Sequence, residues 1–402
     1  MIFTRTEQIW LKPSKNLSRL CHLSKNLYNE GNYLIRQDFF INGNWIQYHS
    51  LYHLLKSSEN YHQLPAQTAQ QVLKILDRNW KSFFKAIKVW RKDKEKFLGR
   101  PKLPKYKSKN GEFILIFTNQ QVKMKDQVLR LPKKVGLEVE TRLPDTTDLR
   151  EVRIIPKGKK YVLEIVYHKK IHPKPLNKAN ILAIDLGVCN LITTVNNNGL
   201  QPFVVKGGVV KSINQYYNKE QARLQSTYDR QGLNTGKALS RLTDKRNQKI
   251  TNHFHKITRE IIDYCMNNDI GTVVIGYNSE WKQRCRIGKR NNQNFVTIPY
   301  YKLIHQLEYK AEEKGITVVK QEESYSSKCS FLDKEPIAHH TQYVGKRITR
   351  GLFKSKKGTI INADVNGAYN ILKKAFLNAV EADRIEVVGL HPTRWRLATA
   401  TS

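Results

Sequence analysis

Cysteine is scarce in this chain. Five are present among 402 residues (Cys21, Cys189, Cys265, Cys285 and Cys329), scattered without a pairing pattern. An odd, sparse set excludes a disulfide framework and fits a reducing compartment. Long apolar runs are missing too. Nothing approaches the roughly 20 residues that a membrane span needs, so no membrane partner is expected. The opening Met1-Ile2-Phe3-Thr4-Arg5 has no signal-peptide core, which makes a prokaryotic cytoplasm the expected location. Acid is the third shortage: 34 Asp and Glu face 70 Lys and Arg, a formal charge of +36.

What is abundant is therefore positive charge, spread along the whole length and not gathered in one tail. Such an excess calls for a polyanionic partner, and a nucleic-acid partner would keep the protein beside the nucleoid. Hydrophobic residues make up 40% of the chain, enough for packed cores, which excludes global disorder. A length of 402 residues accommodates two or three domains.

Residues 1–12 alternate in strand fashion, and residues 15–98 are helical in pattern. Leu17, Leu20, Cys21, Ser24, Leu27 and Tyr28 mark one helix face; Ala69, Val72, Leu73, Leu76, Trp80, Phe83, Phe84 and Ile87 mark another. The segment Gly99-Arg100-Pro101-Lys102-Leu103-Pro104 breaks the pattern and begins a basic linker. Residues 112–170 read as strands, notably Phe113–Phe117, Val128–Leu131 and Tyr161–Tyr167. With residues 1–12 they suggest a small β-barrel interrupted by the helical insert. His172-Pro173-Lys174-Pro175 reads as a domain linker, and from residue 180 onward the pattern is α/β. There a helical hairpin is expected over about 210–268, broken near Gly232–Gly236, followed by strand, helix, strand and a final helix.

Two carboxylates stand out. Asp185 ends the apolar run Ile181-Leu182-Ala183-Ile184, which reads as a buried strand, and precedes Gly187 and a returning strand at Thr193-Thr194-Val195. Asp364 opens Asp364-Val365-Asn366-Gly367-Ala368-Tyr369-Asn370-Ile371. Paired carboxylates in a basic chain point to metal-dependent cutting of nucleic acid, which needs hard oxygen ligands around two divalent ions about 4 Å apart. Mg²⁺, or Mn²⁺ in its place, suits carboxylates, water and phosphate oxygens. A third carboxylate is expected at the end of Val273-Val274-Ile275, but that strand ends in Gly276. Glu280, Glu322 and Glu323 stand near. Successive parallel strands end on one edge of a sheet, so a glutamate after Ile316–Gln321 can reach the space above Gly276. Glu323 is favoured, with Glu322 and Glu280 left open.

These residues resemble the TnpB family, transposon-encoded relatives of type V CRISPR effectors, over nearly the whole chain. The first RuvC motif of that family is matched by Ile184-Asp185-Leu186-Gly187 with Asn190, and the third by Asp364–Ile371. Tyr325-Ser326-Ser327-Lys328-Cys329 is similar to its Thr-Ser-Gln-x-Cys segment; Asn79–Phe84 and Gly99-Arg100-Pro101 are similar to its helical lobe and the linker after it. Gly276 departs from the family's second-motif Glu. Some members, Fanzor relatives included, place a Glu three residues before the Thr-Ser pair, and that position is Glu323. The resemblance thus selects Asp185, Glu323 and Asp364 as catalytic metal ligands. The family's four-cysteine zinc ribbon is reduced here to Cys329, with His339 and His340 poorly spaced, so no zinc is expected. The basic segment Tyr343–Phe353 stands in its place as a hairpin, a candidate lid.

The implied fold is α/β and multidomain: an RNase H-like RuvC nuclease domain preceded by a wedge β-barrel that a helical recognition lobe interrupts. The implied boundaries are 1–14 and 111–175 for the barrel, 15–110 for the lobe, 176–321 and 362–402 for the nuclease, and 322–361 for the insert. The implied activity is RNA-guided endonucleolytic cleavage of double-stranded DNA next to a short transposon-adjacent motif. A guide RNA from the transposon end and double-stranded target DNA are the partners, around a protein monomer. A nuclease-inactive, RNA-guided DNA-binding repressor is the alternative. Tyr48, Gln70, Thr118 and Asn119 match family positions that read the motif, and Gln and Asn suit adenine edges. The basic runs at 102–109, 157–160 and 354–357 suit phosphates and predict salt-dependent binding.

Overall fold

A computed structural model describes residues 2–158, 160–278 and 288–396. The chain divides into two compact units, one ending at Ile171 and the other starting at His172.

The first unit runs β1 (Ile2–Leu11), α1 (Lys15–Asn42), α2 (Tyr48–Leu55), α3 (Glu59–Gln63), α4 (Ala66–Lys92), β2 (Leu115–Thr118), β3 (Lys123–Lys125), β4 (Val128–Arg130), β5 (Glu138–Glu140), β6 (Asp148–Lys157) and β7 (Lys160–Lys170). α1 begins where the Ser14 side chain accepts from the Leu17 N–H and stops at Gly43, whose φ of +69° suits a residue without Cβ. The buried stripe of α4 (Ala69, Val72, Leu73, Leu76, Trp80) follows the helical period. Trp80 is fully buried and donates from Nε1 to Asn32 Oδ1 at 3.0 Å. β1 pairs antiparallel with β7 along its whole length, from Ile2 opposite Lys170 to Leu11 opposite Tyr161. The chain's first strand thus joins its later strands across the helical insert. The strands form a four-stranded sheet, β1-β7-β6-β2, and a three-stranded one, β3-β4-β5, and both share one core with the helices.

Two details differ from the sequence reading. β6 does not stand out in the sequence, because charged residues alternate with its buried Val152 and Ile154. The segment read as a basic linker is a strap held on α1: Asn29 exchanges two hydrogen bonds with the Lys107 backbone, and Asn32 and Arg36 donate to the Pro104 carbonyl. Lys102, Lys105 and Lys109 of that strap are exposed.

The second unit runs β8 (Ile181–Leu186), β9 (Asn190–Asn196), β10 (Phe203–Lys206), α5 (Gly208–Arg230), α6 (Lys237–Asn267), β11 (Thr272–Tyr277), α7 (Lys289–Thr297), α8 (Tyr300–Glu313), β12 (Thr317–Glu322), β13 (Lys346–Thr349), β14 (Leu352–Lys354), β15 (Ile360–Asn362), α9 (Ala363–Ala375) and β16 (Thr393–Arg394). Its main sheet has the order β12-β11-β8-β9-β10-β16. β8, β11 and β12 are parallel, while β8-β9 and β9-β10 are antiparallel. The strand period of two splits β8 between two cores. Leu182, Ile184 and Leu186 join α6 and α8 on one face; Ile181 and Ala183 join α9 on the other. Asp185 has the parity of Ile181 and Ala183, so it points to the α9 side. In β11 the same rule sends Val273 and Ile275 to the first core and Val274, with Gly276, toward α9. β13, β14 and β15 make a small antiparallel sheet that leads directly into α9. No described helix is long and apolar enough to cross a membrane.

Candidate nuclease site

Three carboxylates meet at the edge where β8, β11 and β12 end. Asp185 closes β8. Asp364 sits in the first turn of α9, whose N-terminus is capped by Asn362: its side chain accepts from the N–H of Asp364 (3.0 Å) and of Val365 (3.2 Å). Gly367, one turn further, lets α9 approach Asp185, whose Oδ2 lies 3.4 Å from where a Cβ would stand. Glu323 follows β12 directly. Its Oε2 lies 2.8 Å from the position a Cβ on Gly276 would take, and Ile371 Cδ1 lies 2.5 Å from it. The glutamate side chain and the missing side chain thus occupy one space, and a larger residue at 276 would displace Glu323.

The electrostatics agree with the geometry. Burial, then Glu323, then Asp364 push the Asp185 carboxyl well above the usual carboxylate range; Arg347 and the Leu186 backbone offset this in part. Three carboxylates gathered with one nearby guanidinium, two of them raising the proton affinity of Asp185, form a site that favours cations. All three offer hard oxygen donors, the chemistry Mg²⁺ or Mn²⁺ requires.

Glu322 turns elsewhere. It pairs with Lys374 of α9 and accepts from the Ser324 N–H at 2.8 Å, and its side chain is half exposed. Its carboxyl loses solvent, yet the bonds from Lys374 and Ser324 hold it below the usual range. Glu280 lies outside the described residues.

The segment after Glu323 is anchored to α9. Tyr325 adopts a left-handed φ of +66° and turns the chain. Buried Asn366 donates to the Cys329 carbonyl (2.9 Å) and accepts from Phe331 N–H (3.0 Å); buried Asn370 donates to the carbonyls of Ser326 and Cys329, both at 2.8 Å. The asparagines of the Asp364–Ile371 motif therefore hold the Ser326–Cys329 segment, and through it Glu323, against the helix.

Sequence reasoning missed three neighbours. Tyr300, buried at the start of α8, donates from its hydroxyl to the Gly187 carbonyl at 2.9 Å. Burial, then Asp185 and Glu323, raise its pKa. Arg347, on β13 of the insert, reaches Asp364 Oδ1 at 3.3 Å. Lys206, at the end of β10, donates to Asn190 Oδ1 at 2.8 Å. No local pattern marks them, since each arrives from a different strand or helix.

The insert also brings Cys329, Glu335 and His340 together, with ligand atoms within 4.8 Å of one another. Spacing argued against Cys329 and His340 meeting, and Glu335 was not foreseen; a compact loop overrides the linear separation. Each of the three is hydrogen-bonded. Cys329 donates to the Ala338 carbonyl (3.5 Å), His340 Nε2 lies 2.8 Å from the Pro336 carbonyl, and buried Glu335 accepts from the N–H of Ser330 (2.6 Å) and Val344 (3.0 Å).

In the first unit, the four residues read as motif contacts lie around the start of α4. Gln70 hydrogen-bonds Tyr61. Thr118 donates its hydroxyl to Gln67, one turn before Gln70, and caps a short 3₁₀ turn that begins with exposed Asn119. Tyr48 lies under Lys74, one turn after Gln70, whose ammonium is 5.3 Å from the ring centroid.

A mixed sheet of this order with carboxylates at the ends of its central strands defines an RNase H-like, RuvC-type domain. Two protein-family models match: OrfB_IS605, described as "Probable transposase", over residues 162–282, and the Cas12f1-like TNB domain over residues 300–371. The chain is 27% identical over 414 aligned residues to a TnpB-like protein, ORF457, of Acidianus two-tailed virus, covering 92% of this chain and 86% of the relative. It is also 27% identical to the CRISPR-associated endodeoxyribonuclease Cas12f1 of Sulfoacidibacillus thermotolerans, over 53% of this chain and half of that protein. Together these matches support a place for the chain among TnpB-family proteins. The fold is similar to the Cas12f1 protein in a Cas12f1–sgRNA–target DNA complex (TM-score 0.55, 14% identity, 88% of this chain and 81% of that one). It is similar also to the mini-RNA-guided endonuclease CRISPR-Cas_phi3 (TM-score 0.50, 10% identity, 96% and 93%).

Proposed function

We propose that this protein is an RNA-guided DNA endonuclease that cleaves double-stranded DNA beside a short transposon-adjacent motif, with Asp185, Glu323 and Asp364 holding Mg²⁺ or Mn²⁺. The observation that supports it best is the Glu323 carboxylate lying in the space above Gly276, close enough to raise the proton affinity of Asp185. When bound, the ions supply Lewis-acid activation of water and neutralise charge on the phosphate. The chain's own residues prepare that chemistry. Asp185 presents its carboxylate from a rigid strand between two cores, Asp364 from a capped helix start, and Glu323 from a loop that Asn366 and Asn370 hold in place. The Cas12f1 relative carries "endodeoxyribonuclease" in its name, and a structural neighbour is a complex with guide RNA and target DNA. In this reading the chain binds a guide RNA as a monomer, base pairing selects the target, and Tyr48, Gln70, Thr118 and Asn119 read the motif. The insert is a lid bearing Arg347, and zinc has no part.

The second reading is a guided binder that does not cut, which Gly276 favours. One experiment separates them. The protein, purified with its copurifying RNA, is given Mg²⁺ and a DNA duplex matching the variable end of that RNA. Cleavage is expected from the wild type and from Glu322→Ala, and none from Glu323→Ala. Tight binding without cleavage by the wild type supports the repressor. Normal cutting by Glu323→Ala beside a dead Glu280→Ala overturns the ligand assignment.

A further inference from the structure

We propose that Asn190, locked by Lys206, is a positioning residue for Asp364: it assigns Oδ2 of that carboxylate to the protein and leaves Oδ1 to face the cation. The proposal rests on the endonuclease reading above.

Asn190 opens β9, just past the turn at Gly187. Its Nδ2 donates to Asp364 Oδ2 at 2.7 Å, and its Oδ1 accepts from Lys206 Nζ at 2.8 Å. The orientation of this amide follows from its neighbours. A carboxylate only accepts and an ammonium only donates, so the amide must turn its NH₂ to Asp364 and its carbonyl to Lys206. No other side chain of that length satisfies both: an Asp at 190 would repel Asp364, and an apolar residue would leave both partners unmet.

The backbone is shaped for this contact. β9 and β10 pair regularly from Phe203 opposite Thr194 to Val205 opposite Ile192, and the register then shifts so that Lys206 stands opposite Asn190. A bulge at the end of a strand re-aims one side chain, and here it brings the Lys206 ammonium onto the Asn190 amide. Gly207 follows at once. Its N–H donates to the Cys189 carbonyl at 2.8 Å, and a Cβ there would collide with the Val188 carbonyl. The bulge, the glycine and the lysine form one device.

The device fixes which oxygen remains. With Oδ2 held by Asn190, the other oxygen of Asp364 is the one approached by Arg347 at 3.3 Å. Arg347 thus approaches the oxygen that Asn190 leaves open to a divalent ion. Lys206 acts at one remove: it polarises the amide and stops its rotation. Hydrogen-bond partners of ligating carboxylates commonly change metal affinity about 10–100-fold when removed.

The test uses the complete protein with its copurified RNA, in wild-type, Asn190→Ala, Lys206→Met and Lys206→Arg forms. Mn²⁺ affinity is read by calorimetry, and the Mn²⁺ concentration for half-maximal cleavage is read separately from the rate at saturation. Affinity is expected to fall about 10–100-fold in Asn190→Ala and about 10-fold in Lys206→Met, with Lys206→Arg close to wild type. Melting temperature and RNA retention should be nearly constant across the set, and excess Mn²⁺ should restore much of the rate of Lys206→Met. Wild-type Mn²⁺ affinity in Lys206→Met, or a Lys206→Arg form as weak as Lys206→Met, overturns the relay while leaving the endonuclease reading standing. No Mn²⁺ uptake by the wild-type protein overturns that reading and the proposal with it.

Discussion

Two clusters in the second unit are built from the same kinds of atoms and solve opposite problems. At the sheet edge, Asp185, Glu323 and Asp364 face one another, and burial with mutual repulsion pushes the Asp185 carboxyl up. In the insert, Glu335 is buried as well, but both of its oxygens accept backbone N–H groups, and Cys329 and His340 bond to carbonyls. The first cluster sets anions against one another, an arrangement that a cation would offset. The second already holds its loop together by hydrogen bonds. A shared list of ligand-type residues does not separate the two; the partners of each atom do.

The sharpest way to break this contrast is to neutralise one anion. Asp185→Asn should lower cleavage by about 10²-fold or more, the scale of losing a buried electrostatic contact to the reacting centre, and should raise the melting temperature of the metal-free protein. A fall in that temperature would mean the carboxylates are mutually satisfied. Gly276→Ala comes next. Its Cβ meets Ile371 and Glu323, so it should cost about 1–3 kcal/mol in denaturant unfolding and weaken metal binding by moving Glu323; unchanged metal affinity would mean Glu323 adapts freely.

The insert should respond in the reverse sense. Glu335→Ala leaves two backbone N–H groups without their acceptor and should cost about 1–3 kcal/mol, while Mn²⁺ affinity at the sheet edge stays as in the wild type. Chelator treatment that lowers the melting temperature of wild type but not of Glu335→Ala would instead make the insert a metal site. The smallest expected effect concerns pH. With the folded pKa of Asp185 raised, a proton competes with the ion, so metal affinity should fall as pH drops through that raised value and metal binding should release protons. Calorimetry in buffers of different ionisation enthalpy reads this, and no buffer dependence would sink it.

Much of this was legible in local pattern. Four apolar residues before Asp185 read as a buried strand, and the structure buries it on both faces. The glycine-marked break in the long polar helical stretch appears between α5 and α6. A final helix at or after Asp364 is expected from the sequence, and the structure starts it there with a cap from Asn362 and an acidic first turn. Strand order alone leaves Glu323 beside Glu322 and Glu280, and the family resemblance singles it out; two adjacent glutamates at a strand end differ by the face they find, and that depends on what lies above Gly276.

The amino-acid order by itself determined the strongly basic surface, the strand parity that turns Asp185 toward α9, and the start of the helix that carries Asp364, because each depends on charge or on period within a few residues. Only the tertiary structure decided how Glu323 fills the space above Gly276 while Glu322 turns to Lys374, that Arg347 and the Lys206–Asn190 pair address opposite oxygens of one carboxylate, and that Cys329, Glu335 and His340 close a loop. Those contacts join residues as much as 174 positions apart, as between Asn190 and Asp364. Sheet order, a bulge and helix packing bring them within hydrogen-bond distance, and no local rule in the chain encodes that proximity.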